Sequence, residues 1–354
     1  MVGHLLAVQA QDSRGARLAI RARAVGVSAA DVDRALSVER SLVIGWLNRG
    51  TLHLVRREDY WWLHAVTTPQ LTAGTMRRLR QEGVDADSAE RGVATMVRTL
   101  DRDGPLSRSE LRERLAGAGV PTAGQALVHL LALASVRGLV VRGPLQDAGT
   151  EQAFVLAQDW LGAASPIDRA SALARLARRY LTGHGPATDR DLARWAGIPV
   201  GEARRGLGAI AAGLAERCDG TVELRGATAG DRPGTPPARL LGAFDPLLLG
   251  WRSRGEVVGD READVVSGGI FRACVLVDGR AAGLWRLARG RVAMSPFARL
   301  PDDVAAALVR DGRDVVTFLG DAPQVTGPSP RTTSGARLVH EDNPTRGPSG
   351  PGLT

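Results

Sequence analysis

The 354-residue chain contains no lysine, so all 46 of its basic residues are arginine. That absence excludes Schiff-base chemistry through a lysine amine. Only two cysteines occur, Cys218 and Cys274, far apart and outside any C-x-x-C pair. They exclude a disulfide framework and a cysteine-ligated iron–sulfur cluster, and they fit a reducing cytoplasm. No uninterrupted apolar run reaches the roughly 18 residues of a membrane span. The run from Leu5 to Val8 is too short for a signal-peptide core, so nothing marks the chain for export and a cytoplasmic protein is expected. The six histidines show no H-x-x-x-H or H-E-x-x-H spacing, and neither G-x-S-x-G nor a phosphate-cradling loop appears. No metal, no cofactor and no membrane partner are therefore expected. His129, on an apolar stretch, reads as a core residue, and His64 as the close of a strand.

What is present points to a polyanion. The net charge is +8 with a pI near 10.9, although arginine-only basicity also reflects a GC-rich coding sequence. The length accommodates two to four modules. Three segments share one signature of Ser or Thr, two residues, an acid and an aliphatic: Ser28 to Val32, Ser107 to Leu111 and Thr188 to Leu192, spaced 79 and 81 residues apart. In each, the hydroxyl caps a helix while Asp31, Glu110 or Asp191 occupies the first turn. The spacing is that of a small domain repeated.

The second and third copies repeat in their surroundings too. Val93, Met96, Val97 and Leu100 follow helical spacing, as do Leu173, Leu176, Ala177 and Tyr180. Each helix leads through a Gly-Pro turn into the capped helix and then a further helical stretch, 122–137 or 200–214. Strand pairs close the units, 139–142 with 153–156 and 214–217 with 221–225. The first copy is shorter: a helix over 16–24, the capped helix from Ser28 and the segment 41–48, then strands 51–55 and 60–63 about the charged residues Arg56 to Asp59. From 238 the texture becomes β-rich, with a hairpin of 270–277 and 281–287 about Asp278-Gly279, a strand at 291–296, a helix at 301–308 and a last strand at 315–319.

The expected fold is thus α+β: three tandem winged-helix modules (1–70, 71–160 and 161–235), a small β-rich C-terminal domain (236–321) and a disordered tail (322–354). Winged helices in series suit double-stranded DNA, although they also serve as protein–protein modules. Arg77, Arg78, Arg80, Arg204 and Arg205 are the candidate groove-facing residues, because arginine pairs bidentately with phosphate or a guanine edge. Near the N-terminus, Gln9 and Gln11 end an apolar run. On a helix edge such a pair points to different faces and needs no function.

Gln9-Ala10-Gln11, Arg49-Gly50-Thr51-Leu52-His53, Phe244 to Leu249, Phe271 to Gly279 and Gly283-Leu284-Trp285 together resemble the winged-helix DNA glycosylases of the AlkZ and YcaQ type. The likeness spans roughly nine-tenths of the chain and keeps the motif order. It implies three winged helices and a β-domain, with Gln9 and Gln11 as the catalytic pair. Thr51 and His53 would face a DNA minor groove, with Arg49 in the same motif on the DNA. The implied activity is monofunctional hydrolysis of the N-glycosidic bond of cationic alkylated purines. Bulky N7-alkylguanines and interstrand crosslinks are the implied substrates, in repair or in antibiotic self-resistance, by a monomer. One departure is that only eight residues precede Gln9, where the family carries a longer helical stretch. The competing reading is a non-catalytic winged-helix transcription regulator.

Overall fold

The computed structural model describes residues 1–146, 151–226, 236–320 and 324–325. The chain begins with α1 (Val2–Leu5), β1 (Val8–Gln9), α2 (Ser13–Arg21) and α3 (Ala29–Ser37). It continues with β2 (Leu42–Trp46), β3 (Leu52–Arg56) and α4 (Arg57–Thr67). The segment 41–48 contains β2, the hairpin partner of β3, with Val43 opposite Val55 and Gly45 opposite His53. One expectation fails here. Residues 60–63 are not a strand but part of α4. Arg56 ends β3, and Glu58 and Asp59 fall in the first turn of α4, where the helix dipole favours acids. Tyr60, Leu63 and Val66 are then buried at three-residue intervals. His64 lies on this helix, its Nε2 3.1 Å from Ser135 O, rather than at a strand end.

α5 (Leu71–Gln81), α6 (Ala86–Asp103), α7 (Arg108–Gly117) and α8 (Ala126–Val136) follow, then β4 (Val140–Leu145), β5 (Gln152–Leu156) and α9 (Ala157–Leu161). α8 buries Leu127, Leu130, Leu131 and Leu133, whereas His129 is half-buried and not a core residue. The strands of the first two segments form one sheet in the order β1-β3-β2-β4-β5, joined between segments where Ile44 pairs with Arg142. Because strand residues alternate between faces, Val8, Ile44 and Leu54 pack on one side with Ile20, Leu36 and Met96. Val43, Val55 and Val141 pack on the other with Tyr60, Leu176 and Tyr180.

A third group comprises α10 (Arg169–His184), α11 (Asp189–Ala196), α12 (Val200–Ala209) and the hairpin β6 (Leu214–Glu216) with β7 (Val222–Leu224). All three expected capping boxes are present. The Asp31, Glu110 and Asp191 amides donate to Ser28, Ser107 and Thr188 at 3.2, 3.1 and 3.2 Å, and each acid accepts the cap's own N–H in return. Such a cap contributes about 1 kcal/mol.

β8 (Arg239–Leu241), three one-turn helices α13 (Pro246–Leu249), α14 (Gly255–Val258) and α15 (Glu262–Val265), and the short pair β9 (Val266–Ser267) and β10 (Ile270–Phe271) open the C-terminal part. β11 (Cys274–Val277), β12 (Arg280–Ala288), β13 (Arg291–Pro296), α16 (Asp302–Leu319) and β14 (Gln324–Val325) complete it. The larger sheet runs β14-β13-β12-β11-β8. The expected strand 270–277 is broken into β10 and β11. The expected strand at 315–319 is the last turn of α16, because Leu308, Asp311, Val315 and Phe318 form one buried helical stripe. The tail 322–354 lies outside the described residues apart from β14, which pairs in parallel with β13. Among the described residues no helix is long and apolar enough to cross a membrane.

Two ion pairs tie the end of α2 and the turn after it to the C-terminal part. Arg21 meets the buried Asp311 carboxylate through both oxygens at 3.0 and 2.9 Å. Arg23 meets the fully buried Asp245 at 2.9 Å.

Candidate active site

β1 is two residues long, yet it decides the geometry of the glutamines. Gln9 pairs across the ladder with His53, and Ala10 N–H extends the contact by donating to Leu52 O at 2.8 Å. The pair therefore lies on a strand and its exit, not on a helix edge. Residues two apart in a strand leave toward the same side, but here the chain departs from the sheet at Gln11, and the two side chains find different partners.

Gln9 is 8 % exposed, and its Oε1 accepts from Arg49 Nη2 at 3.3 Å. Arg49 sits in the turn joining β2 to β3 with φ 57°, and its guanidinium also donates to Trp195 O on α11. Gly197, which ends α11 with φ 72°, lies against this turn. A Cβ there would come within 2.6 Å of Arg49 N, so a side chain would push the turn away. Burial, reinforced by Arg194, draws the Arg49 pKa down to about 10, which leaves the group cationic at neutral pH.

His53 is 2 % exposed, with Nδ1 3.0 Å from Thr51 O. Burial first, and Arg49 second, push its pKa down to about 3. The ring is neutral at working pH, with Nδ1–H donating to the carbonyl. Thr51 is half-buried, its hydroxyl donating to Asn48 O at 3.3 Å.

Gln11 is exposed, and its Oε1 accepts from Leu52 N at 3.3 Å, so the side chain caps the end of the ladder. It lines a cleft of about 210 Å³ with Ser13, Arg108, Arg142 and Glu151. The accessible part of the motif is thus Gln11 and Thr51. Gln9 and His53 lie behind, under Arg49.

The other candidate arginines are spread more widely. Arg77, Arg78 and Arg80 are exposed on α5, and Arg204 and Arg205 are exposed on α12. Arg204 is paired with Asp189 at 2.6 Å. Among the described residues no hydrogen bond or ion pair joins these five to the glutamines. Sequence reasoning overlooked Arg108 and Arg142. Their signals were local: a cation in the first turn of a helix, against its dipole, and a charge inside the apolar run Val140-Val141-Arg142.

Residues 2–318 match the family described as DNA glycosylase AlkZ-like. The interstrand DNA cross-link repair glycosylase of Streptomyces sahachiroi is 28% identical over 337 residues, which cover 85% of this chain and 86% of that protein. The solved structure of Streptomyces sahachiroi DNA glycosylase AlkZ is similar with a TM-score of 0.73 and 25% identity, over 92% of each chain.

Proposed function

The chain belongs to the AlkZ-like DNA glycosylase family, and from that premise we propose that it hydrolyses the N-glycosidic bond of cationic alkylated purines in duplex DNA. Bulky N7-alkylguanines are the preferred class and interstrand crosslinks the extreme case, a reading supported by the cross-link repair named for the Streptomyces sahachiroi relative. The setting is repair of alkylation damage, or self-protection against an alkylating antibiotic, by a monomer acting in the cytoplasm at the nucleoid.

The observation that carries this reading is the exposed Gln11 amide, held by the Leu52 N–H beside the half-exposed Thr51, with Gln9 and neutral His53 immediately behind. Alkylation at N7 makes the purine a cationic leaving group, so its departure needs no general acid. The sugar becomes oxocarbenium-like, and a water must attack its anomeric carbon from the correct side. An amide oxygen has two lone pairs. In Gln11 one is taken by Leu52 N–H, which fixes the group, and the other is free to orient the water and face the developing positive charge. Gln9, oriented by Arg49, is the partner amide. Because an amide is a poor base, the chemistry favours an already cationic lesion over uracil or normal bases. With no lysine in the chain, the product is an abasic site and no lysine imine cuts the strand.

The capped helices and hairpins of 71–160 and 161–235 support reading these stretches as winged helices, with a modified first copy in 1–70 and a β-rich domain in 236–321. On such a frame Thr51 lies on a DNA-probing hairpin with the buried His53 supporting it from behind, and Arg49, Arg77, Arg78, Arg204 and Arg205 serve phosphates. The test is incubation with a duplex carrying N7-methylguanine, then alkali. Strand cleavage above the spontaneous depurination rate is expected, and no excess overturns the proposal.

A further inference from the structure

The cleft beside Gln11 contains an electrostatic arrangement that folding alone does not explain. Arg108 is the first residue of α7, where the helix dipole disfavours a cation, and among the described residues its buried Nε has no hydrogen-bond partner. Arg142 converges on it from β4. Its guanidinium lies 4.3 Å from the Phe154 ring centroid, and Nη1 donates to Gln152 O at 3.2 Å. Burial, followed by the charge of Arg108, pulls the Arg142 pKa down to about 10, while the exposed Glu151 acts on it only at a distance, without an ion pair. Two like charges held together, one with an orphaned N–H, destabilise a fold unless an anion completes them.

We propose that Arg108 and Arg142 form a phosphate-receiving pocket that grips a backbone phosphate of the lesion-bearing duplex and presents the neighbouring sugar to Gln11. This rests on the DNA reading of the preceding subsection. The size of the cleft restricts the occupant. At about 210 Å³ it falls below the roughly 300–1,000 Å³ of sites that take whole ligands, so a purine with its adduct is excluded and a single tetrahedral anion fits. Guanidinium forks match such an anion through paired N–H donors, and the Ser13 and Gln11 side chains at the rim add neutral ones.

The test uses the full chain and Arg108→Gln, with Arg142→Lys as the second variant. Binding to an undamaged duplex is measured across a salt series. Arg108→Gln is expected to flatten the logarithmic salt slope by about one, the mark of one lost phosphate contact, while its Tm stays level or rises because the orphaned N–H and the like-charge pair are gone. An unchanged slope with a lower Tm makes Arg108 structural and overturns the proposal. If Arg142→Lys fails to fold, Arg108→Gln decides alone. A methylphosphonate scan then locates the phosphate, on a duplex carrying 2′-fluoro-stabilised N7-methylguanine. One neutralised position is expected to weaken the wild type about tenfold and Arg108→Gln hardly at all. No coupled position, together with a Tm raised by inorganic phosphate at constant ionic strength, assigns the pocket to free anions and also overturns it. Absence of excision by the wild type would sink the glycosylase reading, while the salt slope on undamaged duplex still decides the pocket.

Discussion

The Arg49 guanidinium lies 3.3 Å from the Gln9 amide oxygen and is itself anchored on the main chain of Trp195, so one side chain connects the glutamine strand to α11. Replacing it by glutamine releases the Gln9 amide and loosens the turn. Single-turnover excision by Arg49→Gln is expected to fall by about a hundredfold, the order of loss that small misplacements of a reacting group cause. Duplex affinity should fall far less. Equal loss in both measurements would leave Arg49 its phosphate contact and no part in positioning Gln9.

The two glutamines should match in activity, and each substitution also takes an acceptor from the fold, that of Arg49 Nη2 in the case of Gln9. Gln9→Ala and Gln11→Ala are each expected to lower excision by at least about a hundredfold with binding kept within a few-fold. Gln11→Ala also removes the acceptor of Leu52 N–H and should cost about 1 kcal/mol in urea unfolding. Binding lost in step with activity would assign the pair a structural role.

Acid should unfold the protein through its buried imidazoles. His53 and His184 have pKa values pushed down by burial to about 3 and about 4, against 6.5 for an exposed ring. Between these values the unfolded chain binds protons that the folded chain refuses, so stability is full above pH 6.5 and is lost as pH falls toward 4. Each ring contributes a slope of up to about 1.4 kcal/mol per pH unit. Urea unfolding at pH 7, 6 and 5 measures it, and His53→Gln should flatten the slope while His184 and the partly buried His64 sustain the rest. The excision rate should show no step near pH 6.5 from His53.

Breaking the tie between the two ends of the chain should be costly. Asp311 accepts from Arg21, Arg239 and Leu240 N while almost wholly buried, and these partners hold its carboxyl below the usual carboxylate range against the effect of burial. Asp311→Asn is expected to destabilise by about 3–5 kcal/mol, because it leaves the Arg21 charge uncompensated. Replacing Arg21 and Asp311 together by Met and Leu should cost less than the single change. The same order of stability for single and double variants would show that the pair acts through packing alone.

Helix starts were legible where a side chain writes its own signature. Ser28, Ser107 and Thr188 each announce a cap, and each makes it. The hairpin about Asp278-Gly279 was equally plain, since its turn chemistry is local. What misled was length and context. Two residues of β1 carry no readable period, so Gln9 and Gln11 passed for a helix edge. Tyr60-Trp61-Trp62-Leu63 has strand-forming residues, and only the pairing of β3 with β2 leaves it helical. Val315 to Leu319 reads as a strand from its run of β-branched and apolar residues, whereas it is the last turn of α16, whose buried stripe includes Asp311 in its ion pair with Arg21. The seam between Ile44 and Arg142 joins residues nearly a hundred positions apart and has no local mark. The cleft at Gln11 was hidden for the same reason, since its two arginines come from elements that only the folded chain brings together.

That seam has a mechanical consequence. Strands from the first two segments are hydrogen-bonded into one sheet, so the angle between them is set by strand twist rather than by a slack connector. On the proposed function, a poorly fitting duplex would then be met by deformation of the nucleic acid rather than by opening this joint, and a stretch of DNA softened by a damaged base would yield more readily than intact helix.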